Sequence, residues 1–350
     1  MKPNVVVFVT HDTGRHFGCY GIPEIVSPNI DRLAAEGVRF DRFFTTSPMC
    51  SPSRAAMFSG LHPQANGVMG LTHSPWYWKY KDFHRHISHD FRNGGYRTVA
   101  AGVIHEVYHP EILGALGFDE HLIGNNASDI VRNVCPRLKE LANAKKPFYM
   151  QIGTFQTHSP YNRDGVLPDE SRGVHIPPLY VKNEAARKQF AALQGSIRNV
   201  DGAVGKVLDT LHETGIAENT LVVFTVDHGI AFPRSKTTLY DPGLSVGLIV
   251  RWPGGGIAGG KVCNPLLSNI DLTPTLLQLA GLEIPKGLHG TSFAKSCTDV
   301  RKSGGHEAIF AEHTQPSTHK ETRCIRTDRW KLIRHFFPAR MISVPVDLGC

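Results

Sequence analysis

The sequence predicts an α/β protein with a mainly parallel central sheet, helices on both faces of that sheet, and a small C-terminal antiparallel sheet. Continuous apolar runs, such as 4–10 and 220–226, are typical of parallel strands that are buried on both faces. Helical patterns separate these runs along the chain, as expected where strands and helices alternate. After Gly305 the pattern changes to short strands joined by turns, which favours an antiparallel sheet.

Length and composition allow one large domain and a smaller one. The chain has 350 residues, of which 41% are hydrophobic, so it can bury a large core. We assign residues 1–304 to the α/β domain and residues 305–350 to a short antiparallel subdomain, and we leave open whether that subdomain is truncated. Its strands are predicted at 308–313, 322–326 and 330–334.

The first predicted strand ends in two side chains that often bind metals. His11 and Asp12 follow this strand directly, and Asp227 and His228 follow the later run 220–226 in the same way. In open α/β sheets, sites lie outside the carboxyl ends of the strands. Two strand ends therefore offer oxygen and nitrogen donors to one place, as a metal site requires. The alternative for Asp12 is a helix or turn cap.

A short helix and an extended run come next. Ser27 is placed to cap the helix, Pro28 fits its first turn, and Gly37 fits its end. The extended run 38–44 follows directly and leads to Cys50.

Cys50, Pro52 and Arg54 lie within five residues at the start of a predicted helix. Pro52 fits the first turn, because a residue there needs no partner for a backbone N–H. Cys50 would then lie at or just before the helix N-terminus, where unpaired N–H groups favour an anion. Arg54 adds a permanent charge that suits a tetrahedral oxyanion. The arrangement favours a nucleophile facing an anionic group, and the alternative is a buried cysteine before an ordinary helix.

The C-x-P-x-R string at 50–54 resembles the signature of the type I sulfatases of the alkaline phosphatase superfamily. Segments 27–37 and 270–277 also resemble that family, and residues 232–240 are similar to its heparan N-sulfatase-like (sulfamidase-like) members. The resemblance implies the fold of that superfamily. It also implies that a formylglycine-generating enzyme oxidises Cys50 to formylglycine, whose hydrated aldehyde is the nucleophile.

The resemblance further implies one divalent metal ion. Its ligands would be the two strand-end pairs together with the modified cysteine: His11, Asp12, Cys50, Asp227 and His228. His11 stands where the family usually has an aspartate. Calcium is expected from the family, because it prefers oxygen ligands. Manganese is the alternative, since imidazole nitrogens favour transition metals.

Other residues are assigned to the substrate by the resemblance. Arg54 orients the nucleophile, while His105, His158 and Lys236 contact the sulfate or protonate the leaving group. Val103 stands where the family has a lysine between nucleophile and sulfate, so one cation is missing. We therefore expect both histidines to titrate near neutrality and to supply part of the positive charge.

The implied activity is metal-dependent hydrolysis of sulfate esters or sulfamates, with sulfated sugars as the substrates. Two alternatives stay open. One is hydrolysis of phosphonates or phosphate diesters, because a similar tetrahedral anion fits the same cage. The other is a non-catalytic protein that binds sulfated glycans, which would explain the valine at position 103.

Net charge and apolar runs limit the partners. The formal charge of +7 favours anionic ligands, whereas no basic helix or aromatic–basic array indicates nucleic acid. No apolar run reaches the roughly 18–20 residues that cross a membrane, so we expect no membrane partner. Residues 1–3 run straight into the first strand, which predicts a cytoplasmic location, or a periplasmic or secreted one if a leader was removed.

The other cysteines and a histidine-rich segment carry no predicted function. The seven cysteines lack a C-x-x-C spacing, which argues against a zinc knuckle and against a dense disulfide framework. The spacing and polarity of segment 84–89 favour a solvated segment over a metal site.

Overall fold

The computed structural model describes residues 2–302, 304–315 and 320–337. Its main feature is a nine-stranded sheet. The strands of this sheet are β1 (Asn4–Thr10), β2 (Val38–Phe44), β3 (Arg97–Gly102), β4 (Glu120–Leu122), β5 (Phe148–Gly153), β6 (Thr220–Val226), β7 (Ser245–Arg251), β8 (Lys261–Cys263) and β9 (Leu267–Ser268). Their order across the sheet is β4-β3-β5-β1-β6-β7-β2-β8, and β9 pairs with β2.

The large sheet is mostly parallel, and its central strands are buried on both faces. β1 pairs in parallel with β5 and with β6, whereas β7 runs antiparallel to β6 and to β2. Every residue of β5 and β6 is buried, and so is every residue of β1 after Asn4. Because successive side chains of a strand point to opposite faces, other layers must cover both faces. The predicted α/β class is confirmed, with β7 as an antiparallel member of the sheet.

Helices form these covering layers. They are α1 (Pro28–Glu36), α2 (Cys50–Ser59), α3 (Pro63–Asn66), α4 (Ile87–Asn93), α5 (Ala127–Ala142), α6 (Glu184–Glu213), α7 (Asp241–Leu244), α8 (Leu272–Leu279) and α9 (Ala294–Thr298). α6 packs against α1 and α5, and α8 packs against α2 and α4. Among the described helices, none has both the length and the apolar composition needed to cross a bilayer.

The N-terminus of α1 is capped from another helix. Ser27 precedes α1, but its side chain makes no capping hydrogen bond and instead accepts one from the N–H of Gly18. The carboxylate of Asp201 on α6 accepts hydrogen bonds from the N–H groups of Asn29 and Ile30, at 2.9 and 2.8 Å. The prediction that Ser27 caps this helix is therefore wrong, because a distant carboxylate already satisfies the free N–H groups.

A second, three-stranded antiparallel sheet lies beyond residue 305. It consists of β10 (Ala308–Gln315), β11 (Lys320–Thr327) and β12 (Lys331–His335). The three predicted strands are confirmed, although Trp330 lies in the turn before β12. Buried side chains join this sheet to the region around β2 and α7: Phe44, Leu239, Leu244, Leu266, Ile309, Ala311 and Cys324. The domain boundary between residues 304 and 305 stays a prediction.

The histidine-rich segment 84–89 is not solvated throughout. His86 is completely buried, and its Nε2 lies 3.2 Å from Oε2 of the buried Glu106. Tyr80 and Gln151 donate hydrogen bonds to the same carboxylate, at 2.6 and 2.7 Å. The predicted solvated segment is therefore wrong for His86, because its charged partner belongs to a different segment that the local pattern does not reveal.

The six described cysteines are free thiols, so no disulfide links them. Burial raises the pKa of Cys263 and that of Cys324, which keeps both thiols protonated. These thiols are ordinary parts of the core, as the sequence predicted.

Candidate active site

The ends of β1 and β6 place two carboxylates beside each other. The two strands pair in parallel along their full length, so His11 and Asp12 leave the sheet next to Asp227. Asp12 has a positive φ of 46°, and its N–H donates to Asp227 Oδ1 at 3.0 Å. The N–H of His228 donates to the same oxygen at 2.8 Å. The two predicted strand-end pairs therefore meet at one edge of the sheet.

The histidines of these pairs turn towards the carboxylates. His11 Nδ1 lies 3.0 Å from Asp227 Oδ2, and His228 Nε2 lies 3.1 Å from Asp12 Oδ1. The other ring nitrogen of His228, Nδ1, lies 2.9 Å from the carbonyl oxygen of Gly229, which assigns a proton to Nδ1. Nε2 is then the ring nitrogen of His228 that faces Asp12 and that could coordinate a cation.

Cys50 begins α2 and lies against this cluster. Met49 before it has extended backbone angles, and Pro52 falls in the first turn, as predicted. Cys50 is 1% exposed; its Sγ lies 3.2 Å from His228 Nε2 and 3.9 Å from Asp12 Oδ1. The side chain of residue 50 therefore lies at a helix N-terminus and in contact with the strand-end groups.

Arg54 binds the strand ends rather than pointing to solvent. It lies one helical turn after Cys50, so both side chains share a face of α2. Its buried guanidinium donates through Nε to Asp227 Oδ2 at 3.2 Å and through Nη2 to the carbonyl oxygen of Thr10 at 3.4 Å. These contacts fix α2 against β1 and β6, which is consistent with the predicted role in orienting residue 50.

Lys236 and His158 form the other side of the cluster. Lys236 Nζ donates to Asp12 Oδ2 at 2.7 Å and lies 3.2 Å from His158 Nε2. His158 Nδ1 lies 2.6 Å from the carbonyl oxygen of Ser159, which assigns its proton to Nδ1 and leaves Nε2 as the acceptor for Lys236. The loop before Lys236 needs Gly229, because a Cβ there would lie 1.8 Å from the carbonyl oxygen of Pro242.

His105 reaches the same place from the end of β3. Its φ is +61°, and its ring centroid lies 5.4 Å from that of His11. His73, which the sequence analysis did not identify, stacks on His105 with a centroid distance of 5.4 Å and an interplanar angle of 12°. The only sequence signal for His73 is its place at the start of the aromatic-rich segment 73–78, which gives no hint of this pairing.

The cationic groups around Asp12 and Asp227 determine the protonation of these two carboxylates. Burial acts to raise the pKa of Asp12, but Lys236, His158 and His228 outweigh it and hold that pKa below its ordinary value. The pKa of Asp227 lies well below its ordinary value, because His228, His11 and Arg54 likewise outweigh burial. Both carboxylates are therefore ionised at neutral pH.

The two other histidine rings respond to burial in the opposite way from the carboxylates. Burial, reinforced by Arg54, lowers the pKa of His11 to about 4. Burial, with His11 and Arg54 nearby, lowers the pKa of His105 well below its ordinary value. The expectation that His105 titrates near neutrality is therefore wrong, because its ring is neutral at physiological pH and supplies no positive charge.

The donors fit a divalent cation. One ligand atom each from His11, Asp12, Cys50 and Asp227 lies within 4.8 Å of all the others. Within the described residues, His11 Nε2 is buried and has no hydrogen-bond partner, although the Nδ1 of the same ring lies 3.0 Å from Asp227 Oδ2. A buried ring nitrogen without a partner, on a ring next to an ionised carboxylate, suits a metal ligand. His228 Nε2 lies next to this group, 3.1 Å from Asp12 Oδ1. The identity of the ion, calcium or manganese, stays a prediction.

Two family models match the sequence. The sulfatase model matches residues 3–282, and a model of the C-terminal region of N-sulphoglucosamine sulphohydrolase matches residues 229–344. Together they cover the strand-end pairs, residue 50 and the small antiparallel sheet.

Two curated relatives are similar over most of the chain. An ulvan-active sulfatase of Formosa agariphila is 30% identical over 96% of this chain and 66% of its own length. The N-sulphoglucosamine sulphohydrolase of Homo sapiens is 30% identical over 81% of this chain and 61% of its own length. The chain thus spans roughly two thirds of the length of these relatives.

A solved structure supports the fold. The phosphonate monoester hydrolase of Silicibacter pomeroyi superposes with a TM-score of 0.72 and 21% identity, over 95% of this chain and 87% of the other. Since the sulfatase model matches most of the chain and the observed fold agrees, this chain belongs to the sulfatase family.

Proposed function

We propose that the protein hydrolyses sulfate esters or sulfamates of sulfated sugars and that residue 50 acts after conversion to formylglycine. The observation that carries the proposal is the position of Cys50 Sγ, which lies 3.2 Å from His228 and 3.9 Å from Asp12 at the start of α2. Family membership and the activities named for the two curated relatives support the same reaction and substrate class. A formylglycine-generating enzyme is the maturation partner that the proposal requires.

The bound groups would supply two kinds of chemistry. A formylglycine at position 50 provides a hydrated aldehyde as the nucleophile, and a divalent ion held by His11, Asp12, Asp227 and His228 stabilises negative charge on oxygen. The surrounding side chains position the substrate, balance charge and transfer protons.

Arg54 and Lys236 set the electrostatics of the reaction. Arg54 forms a buried ion pair with Asp227 and holds α2 in place, and it thereby positions residue 50. Lys236 bridges Asp12 and His158, and this places a cation between a metal donor and His158. A sulfate that binds there replaces water as the partner of these cations.

Proton transfer falls to the two histidines outside the metal set. His105 would accept a proton from the nucleophile, since His105 and Cys50 offer ligand atoms within 4.8 Å of each other. Its lowered pKa makes it a weak base, so it would hold that proton only briefly. His158 Nε2 accepts a hydrogen bond from the Lys236 ammonium, and through this nitrogen the ammonium's proton would pass to the departing sugar oxygen or nitrogen. Overall, the S–O or S–N bond breaks, water supplies the new oxygen on sulfate, and the sugar takes up the proton.

The replacement Cys50→Ala tests the proposal. With a sulfated sugar as substrate, turnover should fall by at least about 10³-fold, because no nucleophile remains, while the melting temperature changes little. Cys324→Ala is the matched control, because Cys324 is also a buried thiol but lies in the small sheet. Near wild-type turnover in Cys50→Ala would refute the proposed nucleophile.

The same assay separates the alternatives. An aryl sulfate, a sulfamate and a phosphonate monoester should be compared at equal enzyme concentration. Faster turnover of the phosphonate would favour a phosphonate or phosphate diester hydrolase. Tight binding of sulfated glycan without turnover of any substrate by mature protein would favour a non-catalytic binder.

A further inference from the structure

Two chain segments lead from the candidate active site to the surface. One starts at His73 and the other at His105, and the two rings are stacked at a centroid distance of 5.4 Å. Each segment continues into aromatic residues within a few positions: Trp76 and Tyr77 after His73, and Tyr108 after His105. The stacked histidines therefore fix the start of both segments beside residue 50.

Trp76 connects the first segment to residue 50. Its side chain packs against the small buried cluster of Met49, Cys50 and Leu71. The ring of His73 meets the ring of Trp76 edge to face at 5.3 Å. Trp76 is itself only partly buried, so one side of it contacts the site and another side faces outward.

Tyr77 and Tyr108 bring the two segments together again at the surface. Their rings meet at 5.0 Å with an interplanar angle of 75°. They remain 52% and 41% exposed, so both rings lie at the surface while in contact with each other. Tyr77 has a φ of +50°, a backbone conformation that a tyrosine rarely adopts without a constraint. We define Trp76, Tyr77 and Tyr108 as the aromatic rim.

We propose that the aromatic rim binds a sugar ring of the substrate and thereby selects saccharide sulfates. This inference rests on the proposed function. A pyranose has an apolar face of C–H groups that packs against aromatic rings, while its hydroxyl edge stays in water or meets polar groups. The rim offers ring faces, two phenolic hydroxyls and an indole N–H, which match both kinds of sugar surface.

The division of charge supports this assignment. The cations of the site, Arg54 and Lys236, lie in the buried cluster around residue 50, whereas the three rim side chains are uncharged. The cluster therefore suits the sulfate, and the rim suits the neutral part of the same molecule. Trp76 contacts both His73 and the buried cluster that contains Cys50, so it connects the rim to the cluster.

Binding to a variant that cannot turn over tests the rim. The parent is metal-replete Cys50→Ala, and the probes are inorganic sulfate and tetrasaccharides from heparan sulfate, chondroitin sulfate and ulvan. Tyr77→Ala and Tyr108→Ala, each added to the parent, should weaken binding of the preferred tetrasaccharide about tenfold and leave sulfate binding unchanged. Trp330→Ala is the matched control, because Trp330 is 70% exposed but lies in the turn before β12.

Each other result has a distinct meaning. Unchanged tetrasaccharide binding in both tyrosine variants overturns the rim and leaves the proposed function intact. An equal loss of sulfate and tetrasaccharide affinity also overturns it, because the tyrosines would then merely support the fold of the site. A parent that binds neither sulfate nor any tetrasaccharide contradicts the proposed function itself, and the rim with it.

Discussion

Asp12 and Asp227 at the sheet edge differ from Asp201 in the helical layer, although all three carboxylates are buried. Cations such as Lys236 and Arg54 surround the edge pair and lower the pKa of both groups despite burial. Asp201 accepts hydrogen bonds from N–H groups of α1 and has no ion-pair partner within the described residues; burial raises its pKa to about 6. Hydrogen bonds alone thus satisfy a buried carboxylate, whereas nearby cations keep it charged and able to bind a metal.

Removing a charge from the edge pair should have the largest effect. In Asp227→Asn, the amide keeps an acceptor for the N–H groups of Asp12 and His228 but cannot offset Arg54 or a metal. We expect the bound metal to be lost and turnover to fall by about 10³-fold or more. Elemental analysis and kcat/KM measure the two effects. Asp201→Asn is the control that should retain its metal. An Asp227→Asn protein with full metal content would contradict the role of the Asp227 charge in metal binding.

Removing the cation beside Asp12 should have the next largest effect. Lys236→Ala leaves Asp12 without its 2.7 Å ion-pair partner and removes a positive charge from the site. We expect kcat/KM on a sulfated sugar to fall by about 10²–10³. Lys295→Ala, an exposed lysine on α9, serves as the control. Unchanged kcat/KM for Lys236→Ala would mean that the anion binds elsewhere.

A substitution at Glu106 should lower the stability of the fold without changing metal binding. Glu106→Gln keeps the shape of the side chain but removes the anionic partner of His86, so the free energy of unfolding should fall by about 1–3 kcal/mol. Metal content should stay that of the wild type. Chemical denaturation and elemental analysis check both statements. Glu213→Gln, whose carboxylate pairs with Lys139 on the surface at 3.3 Å, should change stability by less than about 1 kcal/mol; loss of metal in Glu106→Gln without loss of stability would contradict the distinction.

The pH-dependent contribution of Asp201 to stability should be of the same size as the effect of Glu106→Gln, and its sign is fixed by the pKa of Asp201. A carboxyl group whose pKa is about 6 in the folded protein binds its proton more tightly there than in the unfolded chain. Its contribution to stability therefore falls as pH rises from about 4 to 7. The free energy of unfolding of wild type minus that of Asp201→Asn should decrease by about 1–3 kcal/mol over this range. A difference that rises with pH would show that a cation is paired with Asp201.

Local patterns predicted the fold and the strand-end residues. The apolar run before His11 and Asp12 and the one before Asp227 are each complete in a short window, and the parallel pairing of β1 with β6 follows from the fold class. Cys50 at the start of α2 could likewise be placed from Pro52 alone. Each of these features depends on residues that are close in sequence, so a short stretch of sequence is enough to predict it.

Contacts between distant segments could not be predicted in this way. The local pattern of segment 84–89 does not reveal that Glu106 lies beside His86, and that of segment 27–37 does not reveal that Asp201 rather than Ser27 caps α1. The stacking of His73 on His105 also joins two loops whose relative positions depend on the whole sheet. Burial then decided the protonation of His105, which its ordinary pKa does not reveal.

The central claim is that residue 50 is converted into the nucleophile, and the mass of the peptide containing it tests this most directly. Protein produced together with a formylglycine-generating enzyme should give a peptide that is lighter than the cysteine form by about 18 Da, the difference between a thiol and an aldehyde at Cβ. Turnover of a sulfated sugar should rise in proportion to the converted fraction. Full turnover by protein in which Cys50 remains an unmodified thiol would contradict the account.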